Sequence, residues 1–184
     1  MKKPMLNARI SSRYGTRQNP FDKTKTQFHG GIDLVPLTED EEDQKIFFPY
    51  SGRIDFIGKS DSFGNRIWLK IKDAHTKFNG KFIVLAHMDL FNPGLILSKN
   101  VKAGDLAGIV GSTGKSTAKH LHLEIADWVG ENRKSFNPDE VSAAYEVKKT
   151  ENIESNKMEV VESVKVKKEN LKPKAKKENG NNNS

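Results

Sequence analysis

The region from about Ser11 to Trp128 is a succession of short apolar or alternating runs separated by Gly, Pro, Asn and Asp. No long stretch in it carries apolar residues at the 3.6-residue period of an amphipathic helix. Short runs bounded by turn residues are typical of β-strands. We predict strands at residues 46–48, 53–57, 66–71, 81–86, 95–97 and 106–110. The pattern therefore predicts a mainly antiparallel β domain with little helix.

One short helix is predicted near the end of this region, over residues 138–145. Asn137 would cap it and Pro138 would occupy its first position, where a missing backbone N–H is harmless. The acidic segment 38–43 is interpreted as a lengthened loop.

The chain of 184 residues is 35% apolar, which suits one ordinary domain with a core. After Tyr145 the composition changes to Lys, Glu, Asn and isolated Val. Such a segment lacks the apolar surface that offsets the entropy lost on ordering. We therefore predict one folded domain over residues 1–145 and a basic, low-complexity tail over residues 146–184 that is disordered or partly helical.

The formal net charge of +7 favours anionic partners, among them nucleic acid, membrane surfaces and acidic wall polymers. The positive charge is densest in the tail, and the domain lacks the interleaved aromatic and basic residues that base stacking needs. We therefore expect no nucleic-acid partner. A solvated tail is favoured, with attraction to anionic wall polymers as its functional alternative.

Cysteine is absent, so a transition-metal site would have to use imidazole and carboxylate. Behind Met1 no apolar run reaches signal-peptide length, because Pro4, Asn7 and Arg9 interrupt it, and no apolar run is long enough to span a membrane. The residues therefore leave the route of export open.

Two of the five histidines lie in the alternating segment 120–125. In a strand this period places His120, His122 and Glu124 on one face and the apolar residues between them on the other. Both imidazoles can then approach one ion or one substrate atom. Taken alone, the pair is equally typical of two half-exposed strand residues.

A second group is His29-Gly30-Gly31-Ile32-Asp33, in which paired glycines disfavour a helix and predict a loop that enters a strand at residues 32–35. Combined with the strand pair, it supplies two imidazoles and one carboxylate. Such a set leaves the fourth position of a tetrahedral zinc ion open for water, as catalytic sites require.

The other two histidines are less informative. His87 closes the predicted strand that ends at residue 86, where its side chain can reach the mouth of a sheet or lie in the core or on the surface. His75 lies in a polar, turn-like segment and is interpreted as an exposed loop residue.

In order along the chain, these motifs resemble the lysostaphin/LytM-type zinc endopeptidases that cut peptidoglycan peptides. The matching segments are SSRYGTR at 11–17, the His-x-x-x-Asp motif at 29–33, Ala86-His87, GSTG at 111–114, His-Leu-His at 120–122 and Asn137-Pro138. The resemblance implies an open antiparallel β domain with a central groove.

The resemblance also implies the site. His29, Asp33 and His122 would bind Zn²⁺, while His87 and His120 would act on the attacking water and on the developing oxyanion. The substrate would be a peptidoglycan peptide, cleaved next to glycine or D-alanine outside the cytoplasm by a monomer.

The chain departs from the family at positions that bind no metal. Ala118-Lys119 replaces the usual Gly-Pro, Leu123 replaces the usual Phe, and Leu85 replaces an aromatic residue. These departures bear on turn geometry and on substrate preference.

Two alternatives compete with the peptidase interpretation. A metal-free module of the same shape, which binds wall peptide or regulates another hydrolase, usually lacks ligands that this chain has. A phosphate-binding loop at residues 108–116 is rejected, because its first glycine would fall at Ile109 and a strand follows it.

Overall fold

Antiparallel strands dominate the computed structural model, which describes residues 1–129 and 132–146. The strands are β1 Ala8–Ser12, β2 Gly15–Gln18, β3 Thr26–His29, β4 Ile32–Pro36, β5 Lys45–Phe47, β6 Gly52–Ser60, β7 Gly64–Ile71, β8 Phe82–Phe91, β9 Asn100–Val101, β10 Leu106–Val110, β11 Leu121–Val129 and β12 Asn132–Phe136. The helices are α1 Glu41–Gln44 and α2 Asp139–Ala143. The predicted mainly β class is confirmed.

The main sheet has the order β1-β4-β11-β8-β7-β6-β9, with β12 beside β11 and β10 between β8 and β5. Strands β2 and β3 form a separate hairpin. In the main sheet β11 lies between β4 and β8, and its register pairs His122 with Asp33 on one side and with Ala86 on the other. This register brings residues from three distant parts of the sequence into one row.

Alternate side chains of β11 divide its two faces. Leu121, Leu123 and Ile125 are fully buried in the hydrophobic core, together with Ile67 and Leu69 of β7. His122 and Glu124 therefore lie on the opposite face, as the alternating sequence predicts.

The two ends of the described domain are joined near the core. The hydroxyl of Tyr145 donates a hydrogen bond of 2.6 Å to the carbonyl of Met5 and accepts one of 2.9 Å from the Met5 amide. Burial is the main reason that the pKa of Tyr145 is raised. Met1–Glu146 forms one compact unit.

Five of the six predicted strands are confirmed at their positions, but the one at residues 95–97 is wrong. The Asn92 side chain accepts a hydrogen bond from the Gly94 amide, and the Leu95 amide bonds the Asn92 carbonyl, which closes a turn. Ile96 and Leu97 are exposed there. The apolar run therefore belongs to a surface turn and lacks a strand to pair with.

Other boundaries also differ from the predictions. Strand β8 continues past His87 to Phe91, so the expected end at residue 86 is wrong. The acidic segment 38–43 was interpreted as a loop, but its second half belongs to the short helix α1. Helix α2 is present, but its N-cap residue is Pro138 and no side chain caps it, so the Asn137 cap is wrong.

The tail predicted for residues 146–184 lies, apart from Glu146, outside the described residues. No helix in the described ranges is long and apolar enough to cross a membrane.

Candidate active site

Three buried side chains from three strands converge at the centre of the sheet. His29 ends β3, Asp33 lies on β4 and His122 lies on β11, and each is at most 7% exposed. Oδ1 of Asp33 lies 3.1 Å from Nε2 of His29 and 2.9 Å from Nδ1 of His122, and these two nitrogens are 3.1 Å apart. The three atoms thus form a nearly equilateral triangle.

The glycines between His29 and Asp33 allow this convergence. A Cβ atom on Gly31 would lie 2.3 Å from the carbonyl oxygen of Leu123, so a side chain there would push β4 away from β11. A Cβ atom on Gly30 would lie 3.3 Å from Oε1 of Glu124. The close passage of the 30–31 backbone over β11 therefore requires the absence of a side chain at Gly31.

The donor atoms of this triangle fit a metal ion. Nδ1 of His29 donates a hydrogen bond of 2.8 Å to the carbonyl of Arg13, so the Nε2 lone pair of the neutral ring would be available to a metal ion. Ligand atoms of a tetrahedral zinc ion, with bonds of about 2.0–2.1 Å, lie about 3.3 Å apart. The observed separations are close to that value, and two imidazoles with one carboxylate are a zinc donor set.

The carboxylate of Asp33 is held in its charged form. Burial opposes ionisation, but the hydrogen bonds and charges of His122 and His29 outweigh it, so the pKa of Asp33 lies well below its usual range. Oδ2 accepts a further hydrogen bond of 2.8 Å from Nη1 of Arg17. The two oxygens therefore have separate partners.

A second buried carboxylate lies behind His122. Glu124 is fully buried, and its Oε2 lies 3.7 Å from Nε2 of His122 and accepts a 2.8 Å hydrogen bond from Arg133. Burial lowers the pKa of His122, but Asp33 and Glu124 raise it by more, so the net shift is upward. Glu124 thus favours the neutral tautomer of His122 that is protonated at Nε2, with the Nδ1 lone pair on the side of Asp33.

His87 lies in a β-bulge of β8 with the left-handed backbone angle φ of 60°. Its Nδ1 donates a hydrogen bond of 2.7 Å to the carbonyl of Thr113, which leaves the Nε2 lone pair free to act as a base. Burial lowers the pKa of His87 to about 4. The ring is therefore neutral at pH 7.

The loop that holds Thr113 depends on two glycines with positive φ, Gly64 at 59° and Gly114 at 73°. A Cβ atom on Gly114 would lie 2.2 Å from the amide nitrogen of Gly64, and one on Gly64 would lie within 2.4 Å of Thr113. Thr113 Oγ1 accepts a hydrogen bond from the Asn65 amide. The glycine-rich segment that resembled a phosphate-binding loop thus supports His87.

His120 precedes β11 and pairs with Gly111 through an isolated bridge. Its Nδ1 lies 2.8 Å from the carbonyl of Ala118, and its Nε2 lies 3.7 Å from Oδ1 of Asp33. The rings of His120 and His87 have centroids 4.8 Å apart. All five residues singled out in the sequence therefore meet, whereas His75 lies exposed in a turn.

An open groove of about 780 Å³ runs over this centre. Its lining includes all five of these residues, together with the exposed rings of Phe21 and Phe28 from the β2–β3 hairpin region. The arrangement can hold an extended chain across a metal centre that has two imidazoles beside it.

Sequence reasoning gave no role to Arg17, Thr113 or Arg133. Arg17 closes the SSRYGTR motif, which was the available signal for it, and Thr113 lies within GSTG. Glu124 was placed on the histidine face by its spacing, but nothing local indicated that Arg133 would neutralise it.

The chain was compared with known proteins. Residues 27–138 match Peptidase family M23. The DD-carboxypeptidase/endopeptidase Mpg of Neisseria meningitidis is 33% identical over 121 residues, which cover 66% of this chain and 25% of that protein. The match therefore spans about a quarter of the length of these curated relatives.

Solved structures agree with this assignment. The catalytic domain of the prophage-encoded M23 protein EnpA from Enterococcus faecalis is 28% identical, with a TM-score of 0.56, over 74% of this chain and 95% of that domain. The catalytic domain of lysostaphin from Staphylococcus simulans shares the fold, with 24% identity and a TM-score of 0.56 over 74% of this chain and 92% of that domain. The expected resemblance is confirmed, and the chain belongs to peptidase family M23.

Proposed function

We propose that this chain is a zinc-dependent endopeptidase that hydrolyses peptide bonds of peptidoglycan at the cell wall. The observation that carries the proposal is the triangle of Asp33 Oδ1, His29 Nε2 and His122 Nδ1, which lies within an open groove and has His87 and His120 beside it. Membership of peptidase family M23 agrees with this reaction.

In this proposal His29, Asp33 and His122 bind the zinc ion. A zinc ion there would act as a Lewis acid and lower the pKa of a bound water from about 15.7 to about 7. The protein holds the three donor atoms ready, because Arg13, Arg17 and Glu124 fix the tautomers and the carboxylate orientation. Little reorganisation is then needed when the metal binds.

His87 and His120 act on the reacting groups. Each ring donates its Nδ1 proton to a backbone carbonyl, of Thr113 and of Ala118 respectively. Each Nε2 is therefore the atom available to the substrate. A neutral imidazole accepts the proton of the attacking water, and a protonated one donates a hydrogen bond to the tetrahedral oxyanion. The pair supplies both functions.

The substrate is proposed to be an extended wall peptide, cleaved next to glycine or D-alanine. The open groove suits a polymer segment, since it leaves both ends of the bound chain free. The Neisseria relative is named a DD-carboxypeptidase/endopeptidase, which agrees with cleavage at a D-residue.

The test combines metal analysis with hydrolysis. Purified protein should contain about one zinc per chain and should release new amino groups from a panel of defined muropeptides, with fragment masses that identify the bond. The matched control is His120→Ala, which should bind zinc and release far fewer amino groups. Zinc-loaded wild-type protein that binds wall peptides but cleaves none of them would instead indicate a binding module.

A further inference from the structure

Arg66 lies on the same face of the sheet as the candidate metal centre, two strands away from His122. Its neighbours Ile67, Leu69 and Ile71 are buried in the core, so the alternation of β7 directs Arg66, Trp68 and Lys70 to the opposite face. Arg66 faces the bulge at Ala86 and His87, and Ala86 pairs with His122. Two strand spacings separate the Arg66 and His122 backbones, about 10 Å.

The guanidinium of Arg66 is held by aromatic rings. Its Cζ lies 4.9 Å from the ring centroid of Trp68, 5.1 Å from that of Phe56 and 5.4 Å from that of Phe63. Cation–π contacts of this kind hold the guanidinium against the rings without using its N–H groups, which remain donors for a ligand.

This cation lacks an acidic partner. No carboxylate within residues 1–129 and 132–146 pairs with Arg66, and its Nε is buried without a hydrogen-bond partner. A second guanidinium, that of Arg133, lies 4.9 Å from the centroid of the same Phe63 ring. Burial, and then the charge of Arg133, lower the pKa of Arg66. Burial and the neighbouring guanidinium therefore both disfavour the positive charge of Arg66.

Arg133 is only partly neutralised. Its Nη2 donates to Oε2 of Glu124, and its side chain remains 32% exposed at the groove. Two guanidinium groups thus contact one aromatic ring beside the candidate metal centre, and of the two it is Arg133 that pairs with a buried carboxylate. A bound anion would relieve their repulsion.

We propose that Arg66 and Arg133, which both contact the Phe63 ring, form a subsite for a free carboxylate of the substrate near the scissile bond. The planar fork of a guanidinium matches the two oxygens of a carboxylate.

This inference rests on the proposed function and narrows its substrate class. Stem peptides of peptidoglycan carry free carboxylates on acidic residues and at their ends, whereas cross-bridges built only of glycine carry none within the bridge. The subsite therefore selects acidic stem peptides over all-glycine bridges and over stem peptides whose carboxylate is amidated.

The test uses two stem peptides that differ only in a carboxylate or a carboxamide close to the cleaved bond. Wild-type protein should cleave the carboxylate peptide with a kcat/KM roughly 10-fold to 100-fold higher, the range for a hydrogen bond to a charged group. Arg66→Gln should lose this preference, mainly through a higher KM for the carboxylate peptide. Lys70→Gln, on the same face of the same strand, should keep it.

Equal cleavage of both peptides by wild-type protein, or a preference that survives in Arg66→Gln, would overturn the subsite while leaving the proposed endopeptidase intact. If Arg66→Gln proves unstable, Arg66→Lys replaces it as the test variant. Arg66→Lys keeps the charge but loses the planar fork, so it should show an intermediate preference for the carboxylate peptide. Zinc content and the unfolding midpoint are measured for each variant.

If wild-type protein loaded with zinc cleaves neither peptide, the proposed function fails and the subsite is tested by binding alone. Calorimetry should then give a lower Kd for the carboxylate peptide, and Arg66→Gln should remove the difference. Equal Kd values for the two peptides would overturn the subsite independently of catalysis.

Discussion

Arg17 donates a hydrogen bond of 2.8 Å from Nη1 to Oδ2 of Asp33, while Oδ1 of the same carboxylate faces His29 and His122. The same Arg17 nitrogen also contacts Oγ of Ser12. Arg17 of β2 therefore fixes the rotation of the Asp33 carboxylate on β4, although β2 and β4 belong to different sheets.

Arg17→Gln is expected to weaken zinc binding roughly 10-fold to 100-fold, because the partners that orient a ligand carboxylate contribute affinity of that size. Competition with a chromogenic chelator measures the zinc Kd. The matched control is Arg13→Gln, whose guanidinium pairs with Glu146 at the exposed surface. An unchanged zinc Kd in Arg17→Gln would show that Arg17 does not contribute to metal binding.

His29→Ala and Asp33→Ala should lose bound zinc, since each removes one of three donor atoms. His120→Ala should keep the metal while hydrolysis falls roughly 10²-fold to 10⁴-fold, the range for a positioned acid–base group. Metal content by atomic spectroscopy and initial rates on one muropeptide measure the two effects. His75→Ala, in an exposed turn, is the control. Loss of zinc from all three site variants alike would contradict this division of roles.

Gly114→Ala should destabilise the protein by about 2 kcal/mol and reduce hydrolysis, with zinc content preserved. The added Cβ would lie 2.2 Å from the Gly64 amide, and relief of that contact moves the Thr113 carbonyl away from His87. Urea unfolding and initial rates provide the measurements. Gly94→Ala is the control, because its Cβ would meet only ordinary contacts at 3.6 Å or more. Similar behaviour of the two variants would exclude this role for the glycine pair.

Titration of His87 should make the metal-free protein less stable as the pH drops from about 6.5 towards 4. Burial lowers the pKa of His87 in the folded state to about 4, below its ordinary value of 6.5. Between these two values the unfolded state binds the proton and the folded state does not, so the free energy of unfolding rises with pH. The contribution is about 2 kcal/mol at pH 5.

Urea unfolding of wild-type protein and of His87→Asn at pH 7 and pH 5 isolates this effect. Asn keeps an N–H donor for the Thr113 carbonyl and tolerates a positive φ, but it has no titration in this range. Wild-type protein should lose more stability than the variant between the two pH values. Equal losses would show that His87 titrates in the folded protein as it does in the unfolded chain.

Much of the fold followed from local patterns because strands and turns have local signals. The alternation at residues 120–125 correctly separates the histidine face of β11 from its core face. The same reasoning failed at residues 95–97, where apolar side chains occupy a turn closed by Asn92. A short apolar run does not reveal whether a neighbouring strand is available to pair with it.

Two features of the site could not be read from the sequence. One is the extension of β8 through the bulge at His87, which depends on Thr113 and on the contact between Gly64 and Gly114. The other is the pairing of the buried carboxylates with Arg17 and Arg133. Both arise between residues distant in sequence, where local propensity carries no information.

The sequence by itself determined the chemical inventory: five histidines without cysteine, a His-x-x-x-Asp group with paired glycines, and a His-x-His pair on one strand face. Local periodicity suffices for this, because side-chain direction repeats every two residues along a strand. Only the tertiary structure decided the distances between these groups. It places His122 Nδ1 at 2.9 Å and His120 Nε2 at 3.7 Å from Asp33, since strand register and bulges are set by pairing between segments far apart along the chain.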